Sequence, residues 1–419
     1  MRFIHTSDWH LGQIFNEYDR SPEHGMFLGE LVSIVGEEQP DALLVSGDIF
    51  HNSLPSAQSQ KMFTDAVLAL RQTCPRMKIV ITAGNHDGGA RLEADRNLWK
   101  KLGVTVIGGL SRRDGHAVLE DHIVEIPSSS GEAPAGYVVA VPYVFRQNYP
   151  QSPYADEVSD DNAISSALSR QKAFYLDLLS HVRALQEKKC PGEASPVVLM
   201  AHLAVAGCDI KGHDEPLGGM DYTPSDVFPE GYDYLALGHI HHPQTLRMKP
   251  YARYSGSPIP MSFDEDYQHS VSLVEVHAGG KVSVREIPLR CPVPVLTIPE
   301  KPVPFDQALA ALEQFPQDKC AYIRLNVKIS DYLPQNASVK ASMASKGKAC
   351  RYCGMKVVKD AAISLDNGMN LSVDEVRTLD PVEMASIYYR ARFGAEMDES
   401  LGVLLREVAD EIRQEDAGN

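Results

Sequence analysis

A chain of 419 residues, 43% hydrophobic and 23% charged, has room for one large α/β domain with smaller attachments and the composition of an ordinary globular protein. Its formal net charge of −16 argues against a protein that grips nucleic acid by broad electrostatics, since that affinity comes mainly from Lys and Arg contacts to phosphate; a nucleic-acid substrate would need positive field from bound metals or a partner protein. No apolar run approaches ~20 residues, so no membrane span is expected, and seven scattered cysteines give no disulfide framework, which fits a reducing, cytoplasmic setting.

The chain opens on a strand-like run, Arg2-Phe3-Ile4-His5, with no signal-peptide pattern. Similar runs recur at Leu43-Leu44-Val45, Ile79-Val80-Ile81, Val104-Thr105-Val106-Ile107, Val138-Val139-Ala140-Val141, Val197-Val198-Leu199-Met200 and Tyr234-Leu235-Ala236-Leu237. Between the early ones, Phe27, Leu31, Ile34 and Val35 share one helical face, as do Met62, Phe63, Ala66, Val67 and Leu70. This alternation predicts an α/β domain of packed sheets over residues 1–290. Ser128 to Gly136, rich in Ser, Gly and Pro, reads as a surface loop. Then come Pro288, Pro292, Pro294, Pro299, Pro302 and Pro304. Pro removes ladder hydrogen bonds and resists helix, so this stretch is read as a domain boundary. A small α/β cap is expected over 291–380. Leu401, Leu404, Leu405, Val408 and Ile412 form an apolar stripe at helical spacing, which predicts C-terminal helices within 381–419, a segment with nine acidic and four basic residues.

Five short blocks follow strand-like runs: Asp8-Trp9-His10, Gly47-Asp48, Gly84-Asn85-His86-Asp87, the single His202, and Gly238-His239-Ile240-His241. Loops at strand carboxyl ends are where open α/β sheets build sites. In an extended segment residues i and i+2 face one side, so Asp8 and His10 would share a centre, and likewise His239 and His241. Two Asp, one Asn and four His, besides His86, are a mixed oxygen and imidazole set that suits Mn²⁺, Fe²⁺ or Zn²⁺ better than Ca²⁺ or Mg²⁺. The set is large enough for two ions sharing a carboxylate. Any one block is weak, because Gly-Asp is a common turn and a lone His after a strand is usually structural. Five in order, each after an apolar run, exceed what chance supplies.

The ordered blocks resemble the signature of the calcineurin-like metallophosphoesterases. Within that superfamily, Thr6-Ser7-Asp8-Trp9-His10-Leu11-Gly12, Gly47-Asp48-Ile49-Phe50-His51, Ala236-Leu237-Gly238-His239-Ile240-His241 and Tyr254-Ser255-Gly256-Ser257-Pro258 are similar to the SbcD-type nuclease subunits of DNA double-strand-break repair complexes. Protein phosphatases of the superfamily continue G-D-x-V-D-R-G, whereas Asp48 is followed here by Ile49-Phe50-His51-Asn52-Ser53. The resemblance implies a sandwich of two mixed β-sheets flanked by helices. It implies two divalent ions, with Mn²⁺ the expected metal: one held by Asp8, His10, Asp48 and His241, the other by Asp48, Asn85, His202 and His239. His86 would be the non-ligand catalytic residue and His51 would touch the scissile phosphate. It further implies 3′–5′ double-strand exonuclease and single-strand endonuclease action, and an SMC-type ATPase partner contacted by 381–419. A dimer of nuclease subunits within a heterotetramer is implied as well.

Weaker signals accompany these. Cys350 and Cys353 form a C-x-x-C near Cys291 and Cys320, which leaves open a four-thiolate zinc site or unrelated reduced thiols. Lys340, Lys346, Lys348, Arg351, Lys356 and Lys359 form a basic run in the cap, read as a DNA contact or a solvated face. Two other functions stay open: a small-molecule phosphodiesterase, for example on cyclic nucleotides, and a non-catalytic scaffold of the same fold.

Overall fold

In the computed structural model the apolar runs pair into sheets, described for residues 1–113, 116–128, 133–150, 163–192, 194–212, 221–277, 280–329 and 332–359 and at isolated positions beyond. Two compact units result: residues 1–297 with 316–324 and 347–353, and residues 298–315 with 325–346 and 354–419.

In the first unit, Arg2–Thr6, Ala42–Ser46, Lys78–Thr82 and Val104–Ile107 lie in parallel. Ser270–Val276 and Val282–Pro288 extend this sheet antiparallel on the other side of Arg2–Thr6. A second sheet runs in the order Gln244–Leu246, Tyr251–Tyr254, Tyr234–Gly238, Val197–His202, Gly136–Ala140 and Ile123–Ile126. Its four inner strands are parallel and its two edges antiparallel.

Strand alternation builds the layers. Phe3, Leu44 and Val80 from one sheet meet Val138, Val198, Met200 and Ala236 from the other in a core between them. Their neighbours Ile4, Leu43, Val45, Ile79 and Ile81 face outward onto helices α1 (Ser21–Glu38) and α2 (Ala57–Thr73). The predicted helical faces are the buried ones, with Met62 only half-buried at the margin. Val139, Leu199 and Leu235 pack against Phe174, Tyr175, Leu178 and Val182 of the helix Ala163–Lys189. The first unit is therefore the expected sandwich of two mixed sheets flanked by helices.

The second unit contains the helices Phe305–Glu313 and Ala337–Ser345, which pack against each other. The Pro-rich stretch proves to contain a strand: Val295–Val303, with Pro299 and Pro302, is the edge of a three-stranded sheet with Tyr322–Ile329 and Arg351–Lys359. A residue without an N–H is tolerated at an edge, where one side of the strand has no ladder partner. The division between the units falls inside this strand, after Thr297. All seven cysteines are free thiols, and among the described residues Cys291, Cys320, Cys350 and Cys353 form no metal-holding group. The C-terminal stripe lies outside the described residues except at isolated positions.

Two buried histidines tie stability to pH. His5 sits between the Tyr234 hydroxyl (3.1 Å) and the Ser46 hydroxyl (3.2 Å). Burial and then Arg253 push its pKa down to about 3. Burial and then Arg20 push His24 down to about 4. An unfolded chain titrates its histidines near ~6.5. Below that pH it takes up protons that the folded chain refuses, so stability must fall with acid through the window from ~6.5 toward about 4. Urea midpoints measured from about pH 7 to about pH 4.5 should decline. His24→Phe, which fills the site without titrating, should decline less steeply, by about 1 kcal/mol per pH unit below ~6. Equal slopes would remove His24 from this account.

Candidate metal centre

Each sequence block sits where a strand ends. Asp8 and His10 follow Arg2–Thr6, Asp48 follows Ala42–Ser46, and Asn85 and His86 follow Lys78–Thr82 in the first sheet. His202 closes Val197–His202, and His239 and His241 follow Tyr234–Gly238 in the second. All five strands are parallel-paired members of their sheets, so the carboxyl ends gather these loops together. The loops are laced by backbone bonds, Asp8 N–H to Gly47 O (3.0 Å), His10 N–H to Asp48 O (3.0 Å) and Leu11 N–H to Ile49 O (2.9 Å). Glycine is required at two points of close approach. A Cβ at Gly238 would stand 1.8 Å from Ser46 O, and one at Gly84 would stand 2.0 Å from Asp48 Oδ1.

Extended alternation is not how Asp8 converges with His10, or His239 with His241. Asp8, His10, Asp48 and His239 have φ of 54°, 47°, 52° and 98°, in the left-handed region that non-glycine residues rarely occupy. The chain turns at each of these residues, and the lacing bonds hold the turns. Clustered strain of this kind marks functional sites.

The structure brings all seven expected ligand residues together. Asp8, His10 and His241 place ligand atoms within 4.8 Å of one another. Asn85 Oδ1 lies 3.1 Å from His202 Nε2 and 2.9 Å from His239 Nδ1. Asp48 stands between these groups, its Oδ2 3.6 Å from His10 Nε2 and 3.4 Å from His202 Nε2. His86 and His51 flank the His10 ring at centroid distances of 4.8 and 5.5 Å. His86 Nδ1 faces the His51 carbonyl at 2.9 Å, so that nitrogen carries the proton and Nε2 is the atom free for chemistry.

Burial pushes the Asp8 carboxyl up. Burial acts the same way on Asp48, but His202, His10 and His86 outweigh it and hold that carboxyl well below the usual range. Burial in turn lowers His202, yet Asp48 raises it to about 9. His202 Nδ1 donates to Ser46 O (2.8 Å), which aims Nε2 at the carboxylate and Asn85. His10 is fully desolvated, its pKa lies well below normal, and both ring nitrogens are buried without a hydrogen-bond partner. His10 is thus a neutral imidazole beside an ionised carboxylate, the form that binds a divalent cation, whereas His202, raised by Asp48, must release its proton as an ion binds. The donor set thus fits a dimetal site.

Two contributors escape the sequence reading. Glu265 Oε1 lies 3.7 Å from His241 Nδ1, its side chain inaccessible. Tyr143, just after the strand Gly136–Ala140, sets its ring edge against His202. Neither stands at a diagnostic spacing from the five blocks. The only signal was an acidic residue in the run after Ser257-Pro258, and an aromatic residue after an apolar strand.

Asp87, the last residue of the block Gly84-Asn85-His86-Asp87, is a cap that joins two loops. Its carboxylate accepts from Gly84 N–H (2.8 Å), Ile49 N–H (3.1 Å) and Phe50 N–H (2.9 Å). Asp87→Asn turns an amide NH₂ toward buried N–H groups. It should cost about 1–3 kcal/mol of stability and lower turnover about 10-fold by loosening Asn85 and His86. Chemical denaturation and initial rates check both, and unchanged stability would refute the clamp.

Comparison with known proteins places this geometry. Residues 1–243 match the calcineurin-like phosphoesterase family. The chain is 37% identical over 319 residues to the SbcD subunit of the SbcCD nuclease of Rhodobacter capsulatus, covering 75% of this chain and 76% of that protein. It is 29% identical over 426 residues to the Bacillus subtilis protein of the same name, covering 100% of both. It is also 29% identical over 304 residues to that of Escherichia coli K12, covering 71% and 70%. The strand-end motifs, the converging carboxylate and imidazole donors, and these matches make the chain a metal-dependent phosphodiesterase that belongs to the calcineurin-like phosphoesterase family, in the group of the SbcD nuclease subunits.

Proposed function

We propose that this chain is the nuclease subunit of a DNA-end-processing complex, hydrolysing DNA phosphodiester bonds with two divalent ions, Mn²⁺ by preference. The observation that carries the reading is Asp48 standing between two donor groups. One ion would take Asp8, His10, Asp48 and His241, the other Asp48, Asn85, His202 and His239. Two bound divalent ions supply Lewis acidity at phosphate oxygens and a water of lowered pKa. The protein does the rest. His86, its ring fixed through Nδ1 by the His51 carbonyl, would present Nε2 to the leaving oxygen, a donor there only in its imidazolium form. His51, stacked on His86 with centroids 5.6 Å apart, contacts the phosphate. Glu265 restrains His241. The mixed donors favour manganese, iron or zinc over calcium or magnesium.

The same reading assigns 1–290 to catalysis, 291–380 to a DNA-contacting cap and 381–419 to an SbcC-like SMC-type ATPase, with ATP-dependent 3′–5′ exonuclease and single-strand endonuclease action by a dimer inside a heterotetramer. The relatives are named as one subunit of an SbcCD nuclease, which supports the partner, and Lys340, Lys346, Lys348, Lys356 and Lys359 support the cap contact. Arg351 drops out of that basic run, because its guanidinium bonds Glu23 at 2.8 Å. A cytoplasmic setting completes the reading, supported by seven free thiols. Among the described residues, no helix is long and apolar enough to cross a membrane.

The test is Mn²⁺-dependent degradation of a linear duplex, with and without the ATPase partner and ATP. Wild type that leaves DNA intact under every condition would transfer the reading to small phosphodiesters such as cyclic nucleotides.

A further inference from the structure

The loop after Gly136–Ala140 leads from the metal centre to an exposed aromatic ring. Tyr143 is half-buried, its ring edge-on to His202 with centroids 6.3 Å apart. Phe145 packs edge-on against Tyr143 at 5.1 Å and 78°, yet remains 56% exposed. A single exposed Phe is ordinary on a protein surface; what marks this one is its place beside the centre and the rigidity of its support. Tyr143 N–H donates to Ala83 O at 2.8 Å, at the end of the strand that leads to Asn85 and His86. Arg146 donates to Tyr222 O at 2.5 Å and to Asp221 Oδ1 at 3.2 Å. Tyr149 is buried, and Gln171 Nε2 donates to its hydroxyl at 3.2 Å. The loop is pinned at three points and still turns an apolar ring outward, although burial would favour stability.

We propose that Phe145, braced by Tyr143, is a stacking platform for the nucleobase beside the scissile phosphodiester. The proposal rests on the nuclease reading above. Every base has a π-face, so stacking holds single-stranded DNA without reading its sequence. Such a grip suits a chain of net charge −16, which has little positive field of its own for the backbone. A base hangs one sugar away from its phosphate, and Phe145 stands two ring contacts from the ligand His202, through Tyr143.

The test uses the full chain, with and without the ATPase partner and ATP, and single-stranded oligonucleotides in which one abasic residue is scanned through the nucleotides flanking the cleaved bond. Wild type should cleave one abasic substrate about 10-fold less efficiently than the intact strand, mainly through KM. Phe145→Ala should cleave intact and abasic strands alike, while Phe145→Trp should restore the discrimination. Wild type and Phe145→Ala showing the same abasic penalty, or wild type showing none at any position, would overturn the platform. Wild type that cleaves no oligonucleotide at all would instead overturn the nuclease reading, and the platform with it.

Discussion

Asp48→Asn will reduce phosphodiester hydrolysis about 10³-fold or more and will release metal from the whole centre. In the proposed partition Asp48 is the carboxylate shared by both ions; it is 2% exposed, with Oδ2 between His10 and His202 and Oδ1 accepting the His86 N–H at 2.9 Å. Asn keeps the volume and one acceptor oxygen but removes the charge. The charge is what offsets the repulsion between two close dications. Metal content by mass spectrometry should fall from two ions per chain toward one or none. Turnover within about 10-fold of wild type, with both ions retained, would show that Asp48 does not bridge.

His86→Gln should behave differently. Turnover should drop about 10²–10⁴-fold, the range that positioned proton transfer supplies, while both ions stay bound. His86 contributes its backbone N–H to Asp48 and its ring to the His51 carbonyl, and the proposed partition gives its side chain no place among the seven ligands. An activated substrate with a good leaving group, such as bis(p-nitrophenyl) phosphate, needs no proton at the leaving oxygen. Its hydrolysis should therefore suffer much less than that of DNA. Loss of metal in His86→Gln, or equal losses on both substrates, would contradict the proton-donor role.

The five blocks could be found in the sequence because each is a polar interruption directly after a strand of apolar residues. Strand ends are where the fold leaves backbone free to turn. Residues such as Phe27, Leu31 and Val35 were equally readable, since one periodicity settles which face is buried. What stayed hidden depends on distance in space. Glu265 reaches His241 only after the chain has passed through the strand Tyr251–Tyr254, and no spacing rule carries that path. The backbone at Asp8, His10 and His239 was misjudged, because alternation assumes an extended chain and takes no account of the lacing bonds to the neighbouring loop. The Pro-rich stretch in which the units divide gave no sign of the edge strand that holds Pro299 and Pro302, since composition does not say which side of a strand lacks a partner.

The division of donors between the sheets has a consequence for the molecule's mechanics. Asp8, His10, Asp48 and Asn85 come from one sheet; His202, His239 and His241 come from the other. A bound ion pair is therefore a rivet driven through both layers at the end where Gly238 lets them touch. The rivet can form only when both sheets are folded and docked. Metal should accordingly raise the melting temperature as ligand linkage requires, and it should slow the parting of the layers more than the fraying of either one. Core substitutions between the sheets, such as Met200→Ala, would act as a shim removed from beneath that rivet, changing the spacing of ions that the altered residue never touches.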